Sequence, residues 1–181
     1  MSKSVNTISS GMRLRKAKPA DTANIVDLVN ICYRGELSRQ GWTTEADILG
    51  GLRTDAEEIS QLIDSENAII LLCEIDNVLV GSICIAHESG EAQLGLFVVK
   101  PDMQGKHIGK RLLQHAEDTA RHEWEVGTMS MSVITCRHEL IAYYERRGYQ
   151  RTGIIREFPV NPDVWQPKVE HLALEQLEKA L

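Results

Sequence analysis

At 181 residues, 43% of them hydrophobic and 25% charged, the chain carries enough apolar material for one domain with a proper core. A net charge of −6 excludes non-specific nucleic-acid binding, which needs a basic face. No apolar run approaches the ~18 residues of a membrane-spanning helix, and MSKSVNTISSG at the N-terminus lacks the apolar centre of a secretion signal. Cys32, Cys73, Cys84 and Cys136 are scattered without C-x-x-C spacing, so reduced thiols and a cytoplasmic location are expected. No metal is expected either, because His122-Glu123 lacks the second histidine of an H-E-x-x-H site.

In chain order, residues 1–11 read as a polar tail and 12–181 as a single domain. Residues 12–17 alternate apolar and basic, as an edge-accessible strand does. Pro19-Ala20-Asp21 starts a helix capped by Asp21, with Ile25, Leu28, Val29 and Cys32 as its apolar stripe to about Tyr33. Residues 35–55 are irregular, and they hold Trp42, Glu45, Gly50-Gly51 and Arg53. Two readings stay open: a segment bordering a binding site, or a solvated connection with Trp42 as a packing plug. Thr54 or Asp55 caps a helix over 56–65. The near-continuous apolar run 68–75 predicts a strand buried on both faces, turned at Asp76-Asn77 into an antiparallel partner over 78–86. Glu88 to Glu91 then turns the chain into a strand that contains Leu94, Leu96, Phe97, Val98 and Val99 and is stopped by Pro101.

Gln104-Gly105-Lys106-His107-Ile108-Gly109-Lys110 follows, opening a helix to about Trp124 with Ile108, Leu112, Leu113 and Ala116 on one face. A strand feeding a glycine loop into a helix sets unpaired N–H groups at the positive end of the helix dipole, a site for phosphate or pyrophosphate. Three positive charges, Lys106, Lys110 and Arg111, oppose that dipole unless an anion binds there. Beyond the helix, residues 128–135 read as a strand and 140–147 as a short helix ended by Gly148. Residues 149–157 and 168–174 read as a closing hairpin around a loop with Pro159, Pro162 and Pro167, and 175–181 as a final helical turn or two. Periodicity alone gives an α/β domain.

The loop is not a Walker A loop, since Gly105 to Gly109 is one residue short and Arg111 stands where a hydroxyl belongs; G-x-G-x-x-G is absent. Gln104 to Gly109 resembles the Q/R-x-x-G-x-G/A loop of the GNAT superfamily of acyl-CoA-dependent N-acyltransferases, with His107 at the middle glycine. Residues 137–149 resemble the family's N-x-x-A-x-x-x-Y followed by G-F/Y: Tyr144 and Gly148-Tyr149 fit, while Arg137 and Leu140 replace the usual Asn and Ala. The resemblance covers roughly residues 12–174. It implies a mixed, mostly antiparallel central sheet of six to seven strands flanked by about four helices, splayed between the family's strands 4 and 5 to admit the pantetheine arm. It implies acetyl-CoA as co-substrate, held by backbone groups of Val98 and Val99, by the loop from Gly105 through Ile108 to Lys110, and by Gln104, Lys106 and Arg137 side chains.

Acyl transfer from a thioester to an amine needs a base for the amine proton, a donor for the oxyanion and an acid for the leaving thiolate. The resemblance places the donor near Val98 and the acid at Tyr144, with Tyr143 able to swap roles. The family's carboxylate position is Gln93, which cannot accept a proton. Glu91, two residues earlier on the same strand face, is the candidate base, with Glu36, Glu45 or water as rivals. Cys136 beside His138 raises a covalent route, and direct transfer is favoured over it. The segment bordering the acceptor contains Arg34, Trp42, Glu45 and Arg53; arginines suit an amino acid or peptide end, and Glu45 suits a polyamine. The expected activity is N-acetylation of a primary amine on a small-molecule or amino-acid/peptide acceptor. A weakly catalytic acyl-CoA sensor and a protein-modifying enzyme are the alternatives. Relatives often pair as homodimers, with the C-terminal strand or helix as the expected seam.

Overall fold

The computed structural model describes residues 11–159 and 165–181. The expected tail, apart from Gly11, and Pro162 therefore lie outside the described residues. The chain runs β1 (Met12–Lys16), α1 (Thr22–Tyr33), α2 (Gly35–Ser38), β2 (Leu49–Gly51), α3 (Ala56–Asp64), β3 (Ala68–Ile75), β4 (Val78–Glu88), β5 (Glu91–Val99), α4 (Ile108–Trp124), β6 (Thr128–Ile134), α5 (His138–Glu145), β7 (Gln150–Glu157), β8 (Trp165–Pro167) and β9 (Ala173–Ala180). Seven strands form one sheet in the order β1-β3-β4-β5-β6-β9-β7, and β2 pairs with β8 in a separate ribbon.

Helices cover both faces because neighbouring strand residues point to opposite sides. On one face Ile25, Leu28 and Val29 of α1 and Ile59 of α3 pack on Ile70, Leu72 and Cys84. On the other, Leu112, Leu113 and Ala116 of α4 pack on Leu71, Cys73, Ile83 and Ile85. The alternation of Ile70 and Leu72 with Leu71 and Cys73 is why this stretch of β3 reads as unbroken apolar sequence. Each such side chain contributes about 1.5–3 kcal/mol by leaving water.

Asp55 caps α3 as expected, accepting from the Glu58 N–H at 2.8 Å. Asp21 does not cap α1 through its side chain; its carboxylate accepts from the Lys18 N–H and is held by both terminal nitrogens of Arg15. The larger correction is at the C-terminus. The expected helical turn is strand β9, and it is this strand that pairs with β7; of the expected partner 168–174 only Ala173 and Leu174 take part, opposite Glu157 and Arg156. Glu, Gln and Lys favour a helix locally, but the slot between β6 and β7 overrides that preference. Alternate residues fill it: Leu177 is fully buried, Glu175 pairs with Arg151 at 2.6 Å, and Lys179 reaches Glu117 of α4 at 2.6 Å. The sheet edge at that end is β7, and β9 is an interior strand.

The feature that matters for function lies between β5 and β6, the family's strands 4 and 5. Their parallel pairing is confined to Ala92↔Met129 and Gln93↔Ser130. Beyond Gln93 the strands part. β6 stays bonded to β9 along its whole length, while β4–β5 pairing shifts register between Ser82 and Cys84, and Leu96 opposite that irregularity has φ +46°. A bulge of this kind bends and twists its strand. A bulky residue with positive φ persists only where its surroundings over-determine it, and such strain gathers at functional sites.

Candidate active site

The glycine loop and the start of α4 sit at the open end of the gap. Gly105 has φ +77°, and His107, at the N-cap of α4, has φ +63°. The family's middle glycine position thus demands a left-handed backbone, and histidine adopts it at a cost of about 1–2 kcal/mol. Gly109 matters for a different reason: a Cβ there would sit 3.0 Å from Tyr143 Oη and 3.5 Å from Phe97 Cζ, close enough that the tyrosine would have to shift. Its bare backbone lets the helix begin against the aromatic floor of the gap.

Gln104 is a cross-brace. Its Nε2 donates to the Val99 carbonyl at 3.1 Å and to Thr43 Oγ1 at 3.2 Å, while its Oε1 accepts from the Trp42 N–H at 3.2 Å. The Tyr33 hydroxyl donates to the Phe97 carbonyl at 3.0 Å. These two carbonyls are capped by side chains, whereas the Val98 carbonyl lies toward β4, 3.1 Å from where a Cβ on Gly81 would sit. Backbone groups alternate sides along a strand. Phe97 and Val99, rather than Val98, therefore turn their N–H groups into the gap; Val98 still lines it.

A cavity of about 360 Å³ occupies this space, lined among others by Val98, Val99, Gln104, Gly105, His107, Ile108, Gly109 and Lys110. Arg137, Tyr143, Tyr144, Arg146 and Arg147 close it from α5 and its flanks. Lys106 and Arg111 do not line it; their nearest side-chain partners are Met103 and Met12. The cations facing it are instead Lys110, the pair Arg146 and Arg147, and Arg137. Sequence reasoning gave Arg146 and Arg147 no role, because their separation from the loop by a whole helix and strand hides their convergence. Arg147 lies 3.3 Å over the Tyr143 ring, and its buried Nε has no hydrogen-bond partner among the described residues. A buried orphan donor beside an N–H-rich loop fits a diphosphate acceptor.

A second cavity of about 590 Å³ opens on the α1 face of the sheet, with Glu88, Glu91, Gln93, Arg53, Ser130, Ser132 and Arg156 among its walls. Tyr33, Phe97, Arg137, Leu140 and Tyr144 line both cavities. Tyr144 is 5% exposed and packs against Tyr143 and Tyr149 at ring separations of 5.3 and 5.7 Å. Burial pushes its hydroxyl well above the usual phenol range; Tyr33 and Tyr143 add to the shift, and Arg137 and Arg147 oppose it. Tyr143 lines the first cavity only, with Trp42 5.3 Å from its ring.

The acceptor-side residues are less free than their sequence positions suggest. Glu45 gives Oε2 to Arg34 at 2.9 Å and Oε1 to Arg137 at 3.0 Å. Arg137 also donates to the Thr43 carbonyl at 2.6 Å, tying the 41–45 segment to the end of β6. Residues 35–55 are accordingly not a loose loop. The Glu45 N–H bonds Tyr33, Lys168 bonds Ile48 and Ala46, and Asn30 Oδ1 accepts from the Arg53 N–H. Glu36 is exposed and paired with Arg39, and it lines neither cavity. Glu91 begins β5, seven residues before Val98; at ~3.3 Å per residue that puts it on the order of 20 Å along the strand, within reach only through water.

Cys136 is exposed and lines neither cavity, and burial pushes the Cys32 and Cys84 thiols up to about 12 and Cys73 to about 11. The geometry gives no support to the covalent route. Among the described residues no cluster of His, Cys, Asp or Glu could hold a metal, and no helix is long and apolar enough to cross a membrane.

The model of the acetyltransferase (GNAT) family matches residues 24–149. No curated protein matches the chain. Among solved structures, the ribosomal-protein-S18-alanine N-acetyltransferase of Escherichia coli is similar at TM-score 0.68 and 15% identity, over 93% of each chain. The ribosomal-protein-alanine N-acetyltransferase of Brucella melitensis reaches 0.68 at 21% identity, over 93% of this chain and 99% of that one. A spermidine/spermine N-acetyltransferase of Vibrio cholerae reaches 0.66 at 16%, over 96% and 95%.

Proposed function

The chain belongs to the GNAT acetyltransferase family, and we propose that it moves an acetyl group from acetyl-CoA to a primary amine by direct attack. The observation that carries this reading is the gap between β5 and β6, with Tyr144 in the wall common to the cavities on its two sides. Acetyl-CoA supplies the thioester whose C–S bond is broken. The loop N–H groups from Gly105 to Lys110, with Lys110, Arg146 and Arg147, hold its diphosphate end, and the β5 N–H groups of Phe97 and Val99 hold the pantetheine arm and the carbonyl oxygen.

Tyr144 stays protonated because burial disfavours its phenolate, so it has a proton for the departing sulfur. Tyr143, confined to the coenzyme side, does not share that role. The amine loses its proton to water, with Glu91 at the far end of the acceptor cavity as the sink. Gln93, beside it, cannot serve.

Calorimetry with acetyl-CoA, followed by thiol release over an amine panel, tests the reading. Binding with turnover that Tyr144→Phe removes is the expected result; binding without turnover on any amine would make the protein an acyl-CoA sensor.

A further inference from the structure

Beside the transfer point, positive charge outnumbers negative. Glu45 spends both carboxylate oxygens on Arg34 and Arg137, whose side chains are 7% and 8% exposed. Two guanidinium charges against one carboxylate leave this buried unit with one net positive charge. The Arg34 Nε is buried without a hydrogen-bond partner among the described residues. A third guanidinium, Arg53, lines the same cavity 5.6 Å over the Tyr33 ring, and it forms no ion pair among the described residues. Burial lowers the proton affinity of Arg34, Glu45 opposes the shift, and Arg53 and Arg137 add to it, as charges in the same neighbourhood do. Gathering like charges out of water is costly unless an anion completes the set.

The position of this excess matters more than its sign. Tyr33, under Arg53, bonds the Phe97 carbonyl at the gap, and Arg137 lines both cavities with Tyr144. The anion site therefore adjoins the place where the amine must stand. Glu88 and Glu91, the handles a polyamine would need, lie at the remote end of the β4–β5 pair, at its turn. Glu45, the other candidate handle, is already neutralised.

We infer that the acceptor is a free α-amino acid, its carboxylate docked on Arg53 beside the Arg34–Glu45–Arg137 unit and its amine directed at Tyr144. This deepens the acetyl-transfer reading and rests on it for the reacting group. A protein N-terminus has an amide where the amino acid has its carboxylate, so it lacks the charge that the site demands.

The test is calorimetry on the full chain with coenzyme A present, using the N-acetyl derivatives of the common amino acids, their carboxamides, and N-acetylspermidine. One or more of the acids should bind roughly 10- to 100-fold tighter than its carboxamide, the span of a charge-assisted hydrogen-bond pair. Arg53→Gln should erase that ratio and Arg53→Lys should restore part of it. Arg53 makes no side-chain hydrogen bond among the described residues, so both variants are expected to fold. Carboxamides or N-acetylspermidine binding as tightly as the acids would overturn the inference, and so would the absence of binding by any acid. Selective binding of the acids without thiol release from any amine would sustain this inference while defeating the acetyl-transfer reading.

Discussion

The cavity on the α4 side of the gap takes its walls from short stretches: the end of β5, the loop from Gln104 to Lys110, and α5 with Arg146 and Arg147. The acceptor cavity draws instead on the end of α1, Glu45, Arg53, the β4–β5 turn, β6, β7 and β9. The first offers mainly backbone: loop N–H groups, positive φ at Gly105 and His107, and the close approach of Gly109 to the aromatic floor. In the second, side-chain charge decides, and Glu45 shows how far tertiary neighbours can change a residue's meaning. A carboxylate that looks like a cation receptor is held between two buried arginines. The contrast teaches that the walls of one cavity are set by local backbone geometry, whereas those of the other are set by side chains distant in sequence.

Substitutions can break or sharpen this contrast. The largest effect is expected at the shared wall, where Tyr144→Phe should lower kcat by about 10²- to 10⁴-fold, the range for a lost general acid, with acetyl-CoA affinity unchanged by calorimetry. Equal losses in both would place Tyr144 in binding instead. Next, Glu45→Ala leaves Arg34 and Arg137 buried without a counter-charge and should cost about 3–5 kcal/mol in denaturant unfolding. A loss below about 1 kcal/mol would show that the unit is solvated. Arg147→Ala should weaken acetyl-CoA binding by roughly 10-fold, a charged hydrogen bond's worth, and leave the acceptor KM alone. A matching rise in acceptor KM would erase the distinction between the cavities.

Smaller still, His107→Gly should stabilise the fold by about 1 kcal/mol, because glycine takes the left-handed φ without a Cβ penalty. The pH dependence of kcat/KM follows from sign alone. Burial raises the Tyr144 pKa, so the acid stays protonated as pH rises, while the amine gains its attacking form. Activity should climb through the alkaline range without a Tyr144 downturn below about pH 10, the ordinary phenol value. A falling limb in that range, absent from an active Tyr144 variant, would contradict the assignment.

The sequence by itself determined what is encoded within a turn or a strand of its own neighbours. Gln104, Gly109 and Tyr144 marked the loop and the gap wall to which the coenzyme is assigned under the proposed function, and the unbroken apolar run of β3 announced a two-sided sheet, because phosphate loops and strand alternation are local patterns. The sequence misjudged β9, whose Glu and Lys favour a helix until Arg151, Glu117 and the slot beside β6 claim them. It could not see that Arg146 and Arg147 converge on the loop, nor that Glu45 is held between Arg34 and Arg137, the latter 92 residues further along the chain. Only the tertiary structure decided these points, because electrostatic meaning depends on distance in space and on exclusion of water, neither of which is written in residue order.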